Sequence, residues 1–124
     1  MKVKNIKITI KSRQEMLHEF AETYEKLRKG EKVKKREELS FGNIEILRKF
    51  LTEKRMQLLH IIKEKKPDSI YALAHIVNRD LKSVNTDIQI LSSLGLLSFE
   101  TENSGRKKMK PIVEFDKLNV EIVV

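Results

Sequence analysis

The sequence predicts a mainly helical α+β fold, and three observations carry that expectation. Apolar residues recur at helical spacing in several blocks between residues 12 and 94. The period shortens towards two at both ends of the chain, where β-branched residues gather. Ser, Thr and Asp stand at the positions where helix starts need a side-chain acceptor. With 124 residues, 40% of them apolar, the chain holds enough Leu, Ile and Val for one modest core with a short appendage.

The elements follow in order. Val3, Ile6, Ile8 and Ile10, set among lysines and Thr9, predict a half-buried strand over 3–10. Ser12 and Glu15 form a capping-box pattern, after which Met16, Leu17, Phe20, Tyr24 and Leu27 line one helix face up to Gly30. The stretch from Glu31 to Glu38 is charged apart from Val33 and reads as a solvated linker. Ile44, Ile46, Leu47, Phe50 and Leu51 suggest a short helix. Thr52 caps the next, which carries Met56, Leu58, Leu59, Ile61 and Ile62 and ends at Lys65-Lys66-Pro67. Asp68-Ser69 caps a brief helix, Ile70 to Val77, and Asn78-Arg79 turns the chain. Asp80 caps a longer helix to about Leu94, closed by Gly95. Leu96, Leu97 and Phe99 begin a strand, residues 103–106 supply turn chemistry, and Met109, Ile112, Val113 and Phe115 return, with Pro111 suiting an edge. Val120 to Val124 is a β-prone tail. This order is that of a winged helix-turn-helix with an N-terminal strand-helix extension, divided by composition into 1–40 and 41–124.

Charge narrows the partners. Lys and Arg number 26 and Asp and Glu 18, for a net +8, of which +5 falls in 1–40. Such a surplus suits a polyanion, although it also serves solubility and occurs in heat-adapted proteins. No apolar run reaches the ~18 residues of a membrane span and no secretory h-region opens the chain, so a soluble cytoplasmic protein with no membrane partner is expected. The absence of cysteine excludes disulfides, thiolate metal sites and Cys nucleophiles. His18, His60 and His75 are far apart, the 4 glycines form no phosphate loop, and no nucleophile elbow or acid pair occurs. No enzyme, cofactor or metal site is expected.

The segments Leu51-Thr-Glu-Lys-Arg-Met-Gln-Leu-Leu, Pro67-Asp-Ser-Ile-Tyr-Ala-Leu-Ala, Arg79-Asp-Leu-Lys-Ser-Val-Asn-Thr-Asp and Leu91-Ser-Ser-Leu-Gly-Leu-Leu resemble MarR-like winged-helix regulators. They are especially similar to a group of small prokaryotic, often archaeal, antitoxin-like regulators. The resemblance covers residues 41–115. It implies double-stranded DNA binding, usually as a homodimer, with the third helix of the motif in the major groove and the hairpin on the backbone or minor groove.

Helical geometry selects the side chains for such a task. With about 100° per residue, Val84, Ile88 and Leu91 form the inward stripe of the Asp80-capped helix. Lys82, Thr86, Gln89 and Ser93 fall opposite, with Ser83, Asn85 and Ile90 on the flanks. The candidate DNA-binding residues are therefore Lys82, Ser83, Asn85, Thr86 and Gln89, which can engage base edges and phosphates, although any surface helix presents a polar face. Asp87 lies at the border of the stripe and calls for a cation, Arg79 or a neighbouring lysine. On the hairpin, Arg106, Lys107 and Lys108 are candidates for phosphate neutralisation, with Arg106 suited to a narrow minor groove. The basic run 32–36 is equally a linker or a contact to DNA flanks, RNA or anionic lipid. Scarce aromatics favour duplex DNA over RNA. The helix bearing Leu17, Phe20, Tyr24 and Leu27 needs a cover: its own subunit, a second copy in a homodimer, or a toxin-like protein partner.

Overall fold

The computed structural model describes residues 5–32, 38–101 and 109–124. It is an α+β chain, mainly helical, with the described elements β1 (Asn5–Ile10), α1 (Arg13–Arg28), β2 (Glu38–Phe41), α2 (Ile44–Phe50), α3 (Glu53–Lys65), α4 (Ile70–Val77), α5 (Leu81–Ser93), β3 (Ser98–Thr101), β4 (Met109–Ile112) and β5 (Lys117–Ile122). The chain forms two compact units, one of residues 1–48 with 116–124 and one of residues 49–115. These units do not follow the composition boundary at residue 40, because the last strand returns to the first.

The first unit is built on a three-stranded sheet ordered β2-β1-β5, with both neighbours parallel to β1. Parallel partners share a face, so the register separates the chemistry. Ile8 and Ile10 stand beside Leu39 and Phe41 on one side and Val120 and Ile122 on the other, giving one apolar face. Lys7, Thr9, Glu38, Ser40 and Glu121 share the opposite face, where Lys7 and Glu121 pair at 3.0 Å. Ile8 and Ile10 are buried as expected of a half-buried strand, but so are Thr9, within the central strand of the sheet, and Lys11, just beyond its end. Neither β2 nor the pairing of β5 is expected from local pattern: β2 is four residues long and opens inside the charged run, and parallel pairing joins residues more than 100 positions apart.

Helix α1 starts at Ser12, whose hydroxyl accepts from the Glu15 amide, and ends before Gly30, whose positive φ of 75° suits glycine. Its tie to the sheet is polar: buried Lys11 binds Glu19 of α1 and, at 3.4 Å, Glu38 of β2. Burial alone would lower the Lys11 pKa, but the two carboxylates raise it above its usual 10.5. The Thr9 hydroxyl and the Lys11 ammonium hold Glu38 below the usual carboxylate range. No residue of α1 is buried. Helix α2 opens at Asn43, whose side chain accepts from the Ile46 amide at 2.9 Å, and buries only Leu47.

The second unit packs α3, α4 and α5 with the antiparallel pair β3-β4. Its core holds Leu58, Leu59 and Ile62 of α3, Leu73 and Ala74 of α4, and Val84, Ile88 and Leu91 of α5, joined by Leu96, Leu97, Val113 and Phe115. Full burial of each large aliphatic side chain contributes about 1.5–3 kcal/mol. Thr52, Ser69 and Asp80 cap α3, α4 and α5 by accepting from the amides of Arg55, Ala72 and Ser83. Gly95 (φ 76°) closes α5, with the Leu96 amide donating back to Leu91. Pro111 sits in β4 opposite Phe99, where a missing donor is tolerated in a two-stranded ribbon. Val113 and Phe115 lie beyond the end of β4 rather than within the return strand. Among the described residues, no helix is long and apolar enough to cross a membrane.

Candidate nucleic-acid interface

The α4–α5 elbow is made by local chemistry. Asn78 adopts a left-handed conformation (φ 54°) at the end of α4, and its amide donates to carbonyls of the last turn. Two residues later Asp80 accepts from the Ser83 amide at 2.9 Å. That backbone hydrogen bond holds the Asp80 carboxyl below the usual range and satisfies one of the orphan donors that open a helix.

Along α5, the inward stripe is buried as the spacing predicts: Val84, Ile88 and Leu91 are fully enclosed. Lys82, Ser83, Thr86, Gln89 and Ser93 are exposed, and Asn85 is half-buried. Ile90, expected on the flank, is also half-buried. The Thr86 hydroxyl donates to the Lys82 carbonyl at 3.0 Å, which leaves its oxygen free to accept from outside. The exposed row therefore offers the donors and acceptors of Lys82, Ser83, Thr86 and Gln89 from one rigid element. Arg106, Lys107 and Lys108 lie outside the described residues, as does most of the basic run 32–36.

Asp87 shows why this face carries so little negative charge. It is only 8% exposed, and two arginines hold it. Arg79 donates through Nη2 to one carboxylate oxygen at 2.8 Å, the pairing anticipated across the turn. Arg55 donates through Nε to the other oxygen at 3.0 Å. The Arg55 guanidinium also donates to the backbone carbonyls of Lys49 and Phe50 at 2.8 and 3.0 Å, fixing the end of α2. The trio carries a net +1 and links α3, the elbow and α5. Arg55 escaped the sequence reading because it lies 32 residues from Asp87, and no local spacing connects them.

Beside the elbow opens a cleft of about 300 Å³, lined in part by Tyr71, His75, Asn78, Arg79 and Leu81. Tyr71 and His75 are one helical turn apart, with hydroxyl and Nε2 at 3.3 Å and rings edge to face at 5.0 Å. Neither was singled out as a contact residue. The only available signal is their i, i+4 spacing on the side of α4 away from Leu73. Among the described residues no three His, Asp or Glu side chains gather as metal ligands.

No curated protein and no solved structure matches the chain. The model of the HVO_A0114 family matches residues 50–120, more than half of the sequence and nearly all of the second compact unit. The chain belongs to the HVO_A0114 family.

Proposed function

We propose that the second unit is a winged helix-turn-helix of MarR-like type and that the chain is a sequence-specific regulator binding double-stranded DNA as a dimer. The observation that carries this reading is α5: a helix buried along Val84, Ile88 and Leu91 that exposes Lys82, Ser83, Thr86 and Gln89, with its one internal carboxylate already neutralised. A helix of this width fits the major groove, where Gln can bond adenine through two hydrogen bonds and Lys can reach guanine or a phosphate. The order of elements supports it, with α4 and α5 joined by a tight capped elbow and followed by the β3-β4 hairpin as the wing. The net charge of +8 supplies the sequence-independent attraction. A single such motif reads few base pairs, so two half-sites are needed for useful selectivity. The reading assigns the chain recognition rather than catalysis, and requires no cofactor.

Fluorescence anisotropy with labelled duplexes tests it. The intact chain is expected to bind duplex DNA with an affinity that falls steeply between 50 and 200 mM salt, roughly a thousandfold if six phosphates are neutralised. Replacing Lys82 with Ala weakens binding to every duplex. An affinity that Lys82→Ala and Gln89→Ala both leave untouched would remove α5 as the contact surface.

A further inference from the structure

The three-stranded sheet ends at β5, a six-residue strand with β1 on one side and, among the described residues, no strand on the other. Ile122 stands beside Ile10 in the register, and the Val123 amide donates to the Ile10 carbonyl at 3.0 Å. Backbone groups alternate sides along a parallel ladder, so the odd-numbered residues of β5 turn theirs to β1. Leu118, Val120 and Ile122 turn theirs outward. The strand holds no proline, and its register to β1 runs without a bulge, so neither device blunts this edge. Val120 is 48% and Ile122 57% exposed. We propose that β5 pairs antiparallel with β5 of a second copy of the chain, about a two-fold axis through Asn119. The proposal rests on the dimer of the DNA-binding reading and deepens it by naming the contact, which uses residues of the first unit alone.

An edge of unpaired N–H and C=O groups is completed by another strand, and the side chains select this one. Rotation about Asn119 sets Leu118 against the partner's Val120 and Val120 against the partner's Leu118, so outward backbone groups meet outward backbone groups. These residues share a face with Ile8 and Ile10, and that apolar face continues across the junction. On the opposite face Lys117 falls against the partner's Glu121, twice by symmetry, and these two are the charged residues of β5. Glu121 already binds Lys7 through Oε2 at 3.0 Å, but its side chain is 62% exposed and its other oxygen can accept a second cation. Asp87 of the same chain holds two guanidinium groups in this way. Centring the pair on Val120 would instead set Lys117 against Val123 and Glu121 against Asn119, and both ion pairs would be lost. Parallel addition of a strand would leave an edge open and build a filament, whereas the two-fold closes on itself. Exposed ion pairs contribute little, so they fix register rather than strength. One strand per copy buries less than the ~800 Å² per partner of a standard stable interface. The pair is therefore weak, with a dissociation constant on the order of 100 μM, and becomes firm when adjacent half-sites raise the effective concentration.

The natural chain contains no cysteine, so a single engineered thiol reports on this pairing. On the two-fold, Asn119 faces its own copy at a non-hydrogen-bonded site, where Cα atoms approach to about 4.5 Å, within the span of a disulfide. Asn119→Cys is expected to form a covalent dimer under mild oxidation. Ser40→Cys, exposed on the other edge strand, is expected to stay monomeric under the same conditions. Sedimentation of the natural chain is expected to show a monomer–dimer equilibrium up to about 500 μM. Lys117→Glu sets carboxylate against carboxylate and is expected to raise the dissociation constant about tenfold. Val120→Pro removes an outward donor that the chain's own sheet does not use, and is expected to abolish the dimer with an unchanged far-UV circular dichroism spectrum. Lys117→Glu keeps the test alive should Val120→Pro fail to fold. Cross-linking of Asn119→Cys no faster than that of Ser40→Cys would overturn the pair. A natural chain that stays monomeric throughout, or a dimer that Lys117→Glu leaves untouched, would overturn it too and leave the edge to a strand of a different protein. None of these measurements uses DNA, so loss of duplex binding with cross-linking preserved would sink the DNA-binding reading by itself.

Discussion

Replacing Asp87 by Asn probes the joint that orients α5. The substitution conserves shape but removes the negative charge between Arg55 and Arg79, and turns an amide donor towards a guanidinium donor. Two hydrogen bonds, at 3.0 and 2.8 Å, lose their charge assistance. Bonds to charged groups contribute about 1.5–3 kcal/mol each, so the gross loss is about 3–6 kcal/mol. The three side chains keep 12–20% of their exposure, and water recovers part of that sum. The net cost is about 2–4 kcal/mol, a substantial part of the roughly 5–15 kcal/mol that stabilises a domain. Urea unfolding followed by circular dichroism is expected to show a lower midpoint with an unchanged slope. A double-mutant cycle with Arg55→Gln separates the pair from its surroundings and is expected to give a coupling of about 1–3 kcal/mol. A cost below about 0.5 kcal/mol, or strict additivity with Arg55→Gln, would refute the reasoning, because two buried ion pairs cannot be lost so cheaply.

Other perturbations have distinct signatures. Gln89→Ala is expected to cost about 1–3 kcal/mol on the preferred duplex and to relax discrimination at one base position, read by competition anisotropy. Arg106→Ala together with Lys107→Ala is expected to weaken binding to all duplexes alike and reduce the salt slope by about two. Glu38 titrates below its usual 4.5 in the folded chain, so it stabilises the fold above that pH and loses its contribution as pH falls through its lowered value. Lys11, raised above 10.5, stabilises below that pH and loses its contribution only at higher pH. Stability measured against pH should therefore decline on the acid side in natural protein and decline less in Glu38→Gln.

How much was legible in the sequence depended on how far apart the interacting residues lie. Caps are local, and Ser12, Thr52, Ser69 and Asp80 all accept from the amide three residues ahead, as their positions suggest. The buried stripe of α5 was equally legible, since Val84, Ile88 and Leu91 repeat at the helical period. Legibility fell where partners are distant. Short β2 has too few residues to show a period, and β5 became a strand by pairing with β1 from the other end of the chain. Asn43 was missed as a cap because the glycine and serine before it give no periodic frame. At the candidate interface, the exposed row of α5 and the Arg79–Asp87 pair followed from geometry along one helix and one turn, while Arg55 required the tertiary packing of α3 against α5.

The central claim is that α5 reads base sequence in duplex DNA and does so in pairs. Selection of bound duplexes from a randomised pool tests it most directly. The account predicts an enriched palindromic consensus whose half-sites lie about one helical turn apart, lost on Gln89→Ala at the position that residue reads. A pool that emerges without consensus, or no retention of duplex DNA at low salt, would contradict it.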